Sequence, residues 1–188
     1  MTSSRPAEVL EALRDDLAYH QMRVLLLVAA VAGSEGHSRK LDGLTKLAKL
    51  DFLVRYPAVA PRVLDDLDSG DRRLHIAQGD DATEVEDPMT RYKYGPWDDR
   101  YYPVIGALVG RGLLRYARGR QGSVALVPTP AGRSLAEALA QTESWRDMND
   151  RCHVIAQASG GLTGTALKDL IYRHLPEMMD RPHRQVIR

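Results

Sequence analysis

The chain has little cysteine, few aromatic side chains and no long hydrophobic run. Its 188 residues include a single cysteine, Cys152, which excludes an internal disulfide framework and a zinc site built from several cysteines. The apolar run from Val24 to Ala32 is about half of the roughly 20 residues that a membrane-spanning helix needs. We therefore expect a protein without disulfides and without a transmembrane segment.

The sequence also lacks an overall charge bias. Its formal net charge is +1, which gives no general attraction to nucleic acid. Residues 1–16 are polar and acidic, whereas a secretion signal is basic and then apolar. With 44% hydrophobic and 27% charged residues, the composition is that of an ordinary folded protein. These features together predict a cytoplasmic protein.

The motifs of catalysis, metal binding and nucleotide binding are missing as well. The six histidines show neither HExxH nor another known metal-ligand spacing. Cys152 and His153 are adjacent, so on a helix they point about 100° apart and make a poor nucleophile–base pair. The segment 160–164 lacks both phosphate-loop patterns and is typical of a helix stop followed by an N-cap at Thr163 or Thr165. We expect no catalytic residue, no metal ligand and no cofactor, and hence no enzyme.

Apolar residues at helical spacing account for much of the chain. One helix is apolar all round from Val24 to Ala32, which places it at the centre of the core. A long polar and acidic loop is expected near residues 69–87, and a polar, basic tail at residues 181–188. The spacing predicts helices over 6–32, 41–56, 61–67, 145–158 and 165–174.

The stretch from Met89 to Leu139 has the most specific pattern. An extended segment stops at Gly95-Pro96, and a helix follows from about Trp97 to Val109. Two short strands then flank the turn 119–122, and a new helix begins at Pro130 with Thr129 as its N-cap. Helix, β-ribbon and helix in this order are typical of a winged helix.

We therefore predict a mainly α, α+β fold. It would have a winged helix-turn-helix core with a small β-ribbon wing and additional C-terminal helices. The expected divisions are an N-terminal helix at 1–21, the core at 22–141 with the loop insertion near 69–87, and a C-terminal helical extension at 142–188.

The candidate contact residues of the ribbon are basic. The segment from Arg111 to Arg120 contains four arginines and no acidic residue. Three interpretations remain open, namely nucleic-acid binding, contact with an acidic protein partner, and a solvated hairpin without a specific role. The four candidates are Arg111, Arg115, Arg118 and Arg120.

The helix in the recognition position favours protein binding or nonspecific DNA contact over sequence reading. It opens with Asp98-Asp99, whose carboxylates would repel phosphates, and it has few side chains that read base edges. Aromatic residues surround Gly95-Pro96. Most of them should be structural, and one or two exposed tyrosines could anchor a partner. The candidate partner-facing aromatics are Tyr94, Trp97, Tyr101 and Tyr102.

Two stretches together resemble a known family. They are Arg39 to Pro57, which reads RKLDGLTKLAKLDFLVRYP, and Arg91 to Tyr102, which reads RYKYGPWDDRYY. The C-terminal Ile171-Tyr172-Arg173 through Glu177 also fits. The chain resembles the middle components of bacterial ABC-three-component systems, the group that includes Lamassu-type antiphage defence, over roughly residues 23–187.

The resemblance implies a non-enzymatic winged-helix adaptor. Its expected partners are an SMC- or Rad50-like ABC ATPase and a nuclease-type effector, which would supply the chemistry. The family has no catalytic residues to carry over. Two alternatives remain, a winged-helix DNA-binding transcriptional regulator suggested by the arginines of the ribbon and, more weakly, an antitoxin-like protein.

Overall fold

The computed structural model describes residues 16–76 and 88–187. The helices are α1 (Leu17–Gly33), α2 (Leu44–Arg55), α3 (Ala60–Val63), α4 (Tyr101–Gly110), α5 (Pro130–Ala140), α6 (Glu143–Ala158), α7 (Gly164–His174) and α8 (Pro176–Met179). The strands are β1 (Leu41–Asp42), β2 (Thr90–Tyr92), β3 (Gly95–Trp97), β4 (Leu114–Arg118) and β5 (Val124–Pro128). Single 3-10 turns occur at Arg72–Leu74 and Arg120–Gly122. The prediction of a mainly α, α+β fold is confirmed.

Helix α1 lies at the centre of the core, as its apolar sequence predicts. The Asp16 side chain caps it by accepting a hydrogen bond from the Ala18 amide at 2.8 Å. The helix packs against α4, α5 and α6 and against β5, so residues 24–28 are all buried. One hydrophobic cluster joins α1 to residues as distant in sequence as Ile171 and Ile187. The C-terminal helices are thus part of the same core, and a single helix crosses the division predicted between residues 21 and 22.

The predicted β-ribbon is present. Strands β4 and β5 pair antiparallel, with Tyr116 opposite Leu126. The short β1 pairs with the other edge of β5, with Leu41 opposite Leu126, so the order in the sheet is β1-β5-β4. The turn 119–122 joins β4 to β5 as predicted, with Gln121 and Gly122 at positive φ.

Helix α4 ends shortly before Gly112, which has a φ of +70°. The predicted N-caps of two further helices are confirmed. The Thr129 hydroxyl caps α5 by accepting a hydrogen bond from the Gly132 amide at 3.0 Å. The Thr163 hydroxyl caps α7 in the same way through the Ala166 amide at 3.1 Å.

Several boundaries differ from the prediction. Leu41 belongs to strand β1, so the second helix begins only at Leu44. The third helix ends at Val63, although the pattern extends it to Leu67. Helix α4 begins at Tyr101 rather than at about Trp97. The reason is that Gly95-Pro96-Trp97 does not end the extended segment. These residues form strand β3, which pairs antiparallel with β2. The turn of this β2–β3 hairpin lies at residues 93–94.

The predicted loop and tail are only partly described. Residues 77–87 of the loop and residues 1–15 of the N-terminal helix lie outside the described residues. The described part of the loop is anchored to α6, since Arg151 Nε donates to the Leu74 carbonyl at 3.0 Å. The tail is not simply polar. Ile187 is buried, and its carbonyl accepts a hydrogen bond from the Tyr56 hydroxyl at 2.7 Å. No helix in residues 16–76 and 88–187 is long and apolar enough to span a membrane.

Candidate interaction surface

The exposed face of α4 carries no charged side chain. The helix sequence YYPVIGALVG contains no acidic or basic residue. Tyr102 is 65% exposed, and the other exposed positions are Pro103, Gly106 and Gly110. A side chain that reads base edges needs hydrogen-bond donors and acceptors in this position. The outward face of α4 therefore suits apolar contact with a protein rather than base reading.

Two arginines flank α4, and both form hydrogen bonds within the protein. Arg100 Nη2 contacts Asp98 Oδ2 at 2.7 Å, just before the helix. Arg111, which follows the helix, donates from Nη1 to Gln21 Oε1 on α1 at 2.9 Å. Arg111 is a candidate contact residue, and the structure uses its guanidinium to join the end of α4 to α1.

An aromatic cluster lies beside α4. The Trp97 ring is at its centre, with ring centroids at 5.9 Å from Tyr92, 5.3 Å from Tyr101 and 6.1 Å from Tyr102. Tyr94, at the tip of the hairpin, is 53% exposed, and Trp97 is partly buried. Tyr94, Trp97 and Tyr102 thus reach one surface, as the sequence predicts.

Tyr101 is an exception among the four candidate aromatics. Its side chain is 1% exposed, and its hydroxyl donates to Asp51 Oδ2 at 2.7 Å. Burial and the neighbouring Asp51 charge raise the pKa of Tyr101 well above its usual value. Tyr101 therefore faces the core rather than a partner, because it lies one residue before Tyr102 and points about 100° away from it around the helix.

The hairpin and α2 enclose a cleft of about 320 Å³, called here the aromatic cleft. Its walls include Tyr92, Tyr94, Trp97 and Tyr102. Lys49 of α2 also lines it and is 1% exposed. Among residues 16–76 and 88–187, no acceptor lies within hydrogen-bond or ion-pair distance of the Lys49 ammonium. Burial and the charges of Lys168 and Arg91 lower the pKa of Lys49 to about 8.

The sequence pattern does not reveal Lys49 as a site residue, because it places the lysines of this helix away from the apolar face. In the structure Lys46, Lys49 and Arg55 of α2 are all buried. Helix α2 is covered on several sides, by α7, α6 and β3, so its polar residues are enclosed as well. In the sequence, this helix shows only basic residues interspersed with leucines. The neighbours that enclose these basic residues become apparent only in the structure.

A buried ion network lies beneath α4. Asp51 of α2 is fully buried between Arg23 of α1, at 2.9 Å, and Arg55, at 2.7 Å. Burial alone would raise the pKa of Asp51. The two guanidinium groups and the Tyr101 hydroxyl instead lower this pKa to about 2. Asp51 is therefore ionised at neutral pH and holds α1, α2 and α4 together.

The network continues to the residues that precede α4. Arg55 Nη2 donates to Asp98 Oδ2 at 2.8 Å, and Arg100 Nε donates to Asp98 Oδ1 at 2.9 Å. Burial alone would raise the pKa of Asp98, but the hydrogen bonds from Arg100 and the charge of Arg55 hold it far below its usual range. The expectation that Asp98 repels phosphates at the helix start is wrong, because its charge is buried and paired. Asp99 remains exposed.

The candidate arginines of the ribbon are on its outside. Arg115, Arg118 and Arg120 are exposed. The Arg120 amide donates to Asp42 Oδ1 at 2.9 Å, which fixes the tip of the ribbon against β1 and leaves the guanidinium outside that contact. The ribbon thus presents three cations on a supported hairpin.

Cys152 and His153 do not form a catalytic pair. Cys152 is fully buried on α6, and burial raises the pKa of its thiol to about 12. The residue is a small buried side chain of the core. Within the described residues, no group of three or more His, Cys, Asp or Glu side chains is arranged to hold a metal ion.

The chain matches no known protein family, no curated protein and no solved structure.

Proposed function

We propose that the chain is a non-enzymatic adaptor with a winged-helix core that binds a partner protein through the face of α4 and the aromatic cleft. The observation that carries this proposal is the uncharged, exposed face of α4 beside the aromatic residues of the hairpin. Exposed tyrosines and tryptophan are the residues that anchor protein interfaces, and their apolar rings exclude water from the contact.

The aromatic cleft indicates the chemistry of the partner segment. Lys49 is a buried cation without an ion-pair partner in the described residues, and the cleft around it is lined by aromatic rings and, at its exposed side, by Asp99. A carboxylate inserted into the cleft would neutralise Lys49, and a neighbouring apolar side chain would pack on Tyr94 and Tyr102. The proposed partner therefore presents an acidic residue next to an apolar one.

The identity of the partners rests on the family resemblance. It implies an SMC- or Rad50-like ABC ATPase and a nuclease-type effector of a bacterial defence complex in the cytoplasm. The chain would bridge the two proteins and pass rearrangements of the ATPase to the effector. The buried ion network supports this role, because it fixes α4 to α1 and α2 and so keeps the docking face in one orientation.

Co-expression with an SMC- or Rad50-like ABC ATPase, chosen from the genes that neighbour this one in its genome, tests the proposal. The tagged chain should purify with the ATPase in a stable ratio, and Tyr102→Glu should abolish the association. Tyr116→Glu is the matched control, since Tyr116 is another exposed tyrosine, on the ribbon, with 53% exposure against 65% for Tyr102. Failure of the ATPase to co-purify would overturn the assignment, as would ATP hydrolysis or DNA cleavage by the isolated chain.

A DNA-binding regulator is the second candidate. The observation that favours it is the exposure of Arg115, Arg118 and Arg120 on the ribbon. DNA binding through these residues should weaken steeply with salt, by a slope of about 0.9 for each phosphate contacted. Changing all three to glutamate should abolish it. A clear preference for one DNA sequence would support a regulator over the adaptor.

A further inference from the structure

A second cavity lies on another side of α2, between the tip of the ribbon and the start of α7. Its volume is about 460 Å³, within the range of about 300–1,000 Å³ typical of small-molecule sites. Most of its lining is polar. The side chains that matter for its chemistry are His37, Thr45, Lys46, Arg120, Thr163 and Thr165.

Lys46 is the buried cation of this cavity. It is 6% exposed, and its Nζ lies 3.0 Å from His37 Nδ1. His37 Nε2 lies 2.7 Å from the Ala156 carbonyl, which can only accept a hydrogen bond. The histidine therefore carries its proton on Nε2 and accepts at Nδ1 from Lys46. One N–H of the ammonium is used in this way, and two remain to donate to a ligand.

The acidic side chain of the cavity is already occupied. Asp42 Oδ1 accepts from the Arg120 amide at 2.9 Å and from the Ser123 hydroxyl at 3.3 Å. Within residues 16–76 and 88–187, no carboxylate forms an ion pair with Lys46. Burial lowers the pKa of Lys46, whereas the charge of Asp42 raises it and that of Arg120 lowers it. The cavity thus contains two cationic side chains and one carboxylate that is bound to the ribbon.

The N-terminal ends of two long helices also meet at this cavity. Gly43, Thr45 and Lys46 begin α2, whose N-cap has no side-chain hydrogen bond. Thr163 and Thr165 lie at the start of α7. The first amides of a helix have no acceptor within the helix and carry partial positive charge, so both ends favour an anion.

Glycines at positions 36 and 160 allow two loops of the cavity wall to approach each other closely. A Cβ at Gly36 would lie 2.8 Å from the Gly161 amide nitrogen, and Gly36 has a φ of +80°. The Gly161 amide donates to the Gly36 carbonyl at 3.2 Å, so the two loops lie backbone to backbone. Segment 160–164 is not a phosphate loop by sequence, and it nevertheless places the start of α7 beside Lys46.

We propose that this cavity binds a phosphate group, held by the Lys46 ammonium, the Arg120 guanidinium and the amides that begin α2 and α7. Thr45 and Thr165 supply hydroxyl donors at its edge. The phosphate belongs either to a small phosphate ester or to the backbone of a nucleic acid. This proposal is independent of the adaptor function, because it uses neither the face of α4 nor the aromatic cleft.

Calorimetric titration of the full chain tests the site with inorganic phosphate, adenosine monophosphate and a short DNA duplex as probes. Lys46→Met keeps the length of the side chain and removes its charge, so phosphate affinity should fall at least about tenfold. Lys168→Met removes the same charge from α7 outside the cavity and should leave the affinity unchanged. Equal affinity in the Lys46→Met variant and the wild type would overturn the proposal.

A second variant separates loss of binding from loss of folding. Arg120 is exposed and its contact with Asp42 uses the backbone amide, so Arg120→Gln should fold normally and lose affinity several-fold. Amide resonances of Lys46, Gly164 and Thr165 should shift on titration of the wild-type protein with phosphate. If only the small probes bind, the ligand is a free phosphate ester. If the duplex binds, loses affinity in Lys46→Met and competes with inorganic phosphate, the ligand is a nucleic-acid backbone. No binding of any probe would refute the site.

Discussion

Arg55 Nη2 donates to Asp98 Oδ2 at 2.8 Å, across 43 positions of the chain. The same nitrogen lies 2.7 Å from Asp51 Oδ2, so one guanidinium joins two buried carboxylates. Asp51 is on α2, and Asp98 lies in the segment that turns into α4. Buried charges therefore help to set the orientation of the proposed docking helix, whose own sequence contains no charged residue.

Removing one charge of this network should destabilise the fold strongly. In Asp51→Asn, the guanidinium groups of Arg23 and Arg55 lose their shared carboxylate while remaining buried. Loss of one partner from such a network costs about 3–5 kcal/mol in the free energy of unfolding. Urea denaturation at neutral pH measures this change. Asp99→Asn, at an exposed neighbour of Asp98, is the control and should change stability by no more than about 0.5 kcal/mol. Similar effects of the two substitutions would contradict the assigned role of the network.

The same carboxylate should make stability depend on pH in the acid range. The folded pKa of Asp51, about 2, lies below its ordinary value of 3.8. The stabilisation is therefore complete above the unfolded pKa and is lost as the pH falls from about 4 towards about 2. The contribution of this group is about 2 kcal/mol. Denaturation curves at pH 7 and at successively lower pH would give the free energy of unfolding at each pH. This free energy should fall less steeply with decreasing pH in Asp51→Asn than in the wild type. An equally steep fall would show that other carboxylates cause the loss of stability in acid.

Neighbouring tyrosines of α4 should have separate roles. Tyr101→Phe removes the hydroxyl that donates to Asp51, so it should lower the free energy of unfolding by about 1–3 kcal/mol. Tyr102→Phe should leave stability unchanged because Tyr102 is exposed. Tyr102→Ala should weaken partner binding, in keeping with an aromatic anchor. Thermal unfolding and a binding assay with the co-expressed ATPase measure the two effects, and the proposal fails if Tyr101→Phe alone reduces binding in a protein of unchanged stability.

Lys49 should matter more for binding than for folding. Lys49→Met replaces a buried ammonium without a partner in the described residues by an apolar side chain of similar length, so stability should stay the same or rise. Partner affinity should fall at least about tenfold, because the partner carboxylate would then be buried without its cation. Titration calorimetry on the purified pair measures the affinity. The acidic residue of the partner that matches Lys49 can be identified by changing candidate residues to the corresponding amide. The matching substitution should lower the affinity for the wild-type chain and cause no further loss of affinity for the Lys49→Met variant.

Cys152 should be chemically inert in the folded protein. Burial raises the pKa of its thiol to about 12, and the side chain has no exposed surface. Alkylation at pH 8 should therefore be slow in native buffer and rapid in guanidinium chloride, since only unfolding provides the thiolate with access to the reagent. Mass spectrometry of the alkylated chain gives both rates. Fast labelling of the native protein would show that α6 opens without global unfolding.

The sequence predicts the periodic parts of this structure well and its polar interior poorly. The spacing of Val104, Ile105 and Leu108 identifies α4, and Thr129 marks the start of α5. Strand β1 escapes prediction because two residues have no detectable period and pair only with the distant β5. The exposure of the candidate aromatics is predicted in part, since Tyr94 and Tyr102 are exposed and Tyr101 is not.

The buried charges could not be inferred from the pattern. Charged residues such as Lys46, Lys49 and Asp51 are typical of a helix face in contact with water. They are buried here only because neighbouring elements of the fold cover them. Arg23 lies directly before the apolar half of α1. A charged residue at the end of a hydrophobic run is usually exposed to solvent, but Arg23 is buried. Its carboxylate partner, Asp51, is 28 positions away, and no local rule links the two residues.

The apolar centre of α1 has a consequence for the growing chain on the ribosome. Residues 24–28 are synthesised early, but their covering comes from α4, β5, α5 and α6, which begin only at Tyr101, Val124, Pro130 and Glu143. About 130 further residues, from Val28 to Ala158, must therefore be translated before the last of these elements is complete. Until then the nascent chain exposes a hydrophobic segment. Chaperones bind such segments, and truncated fragments that expose them tend to aggregate.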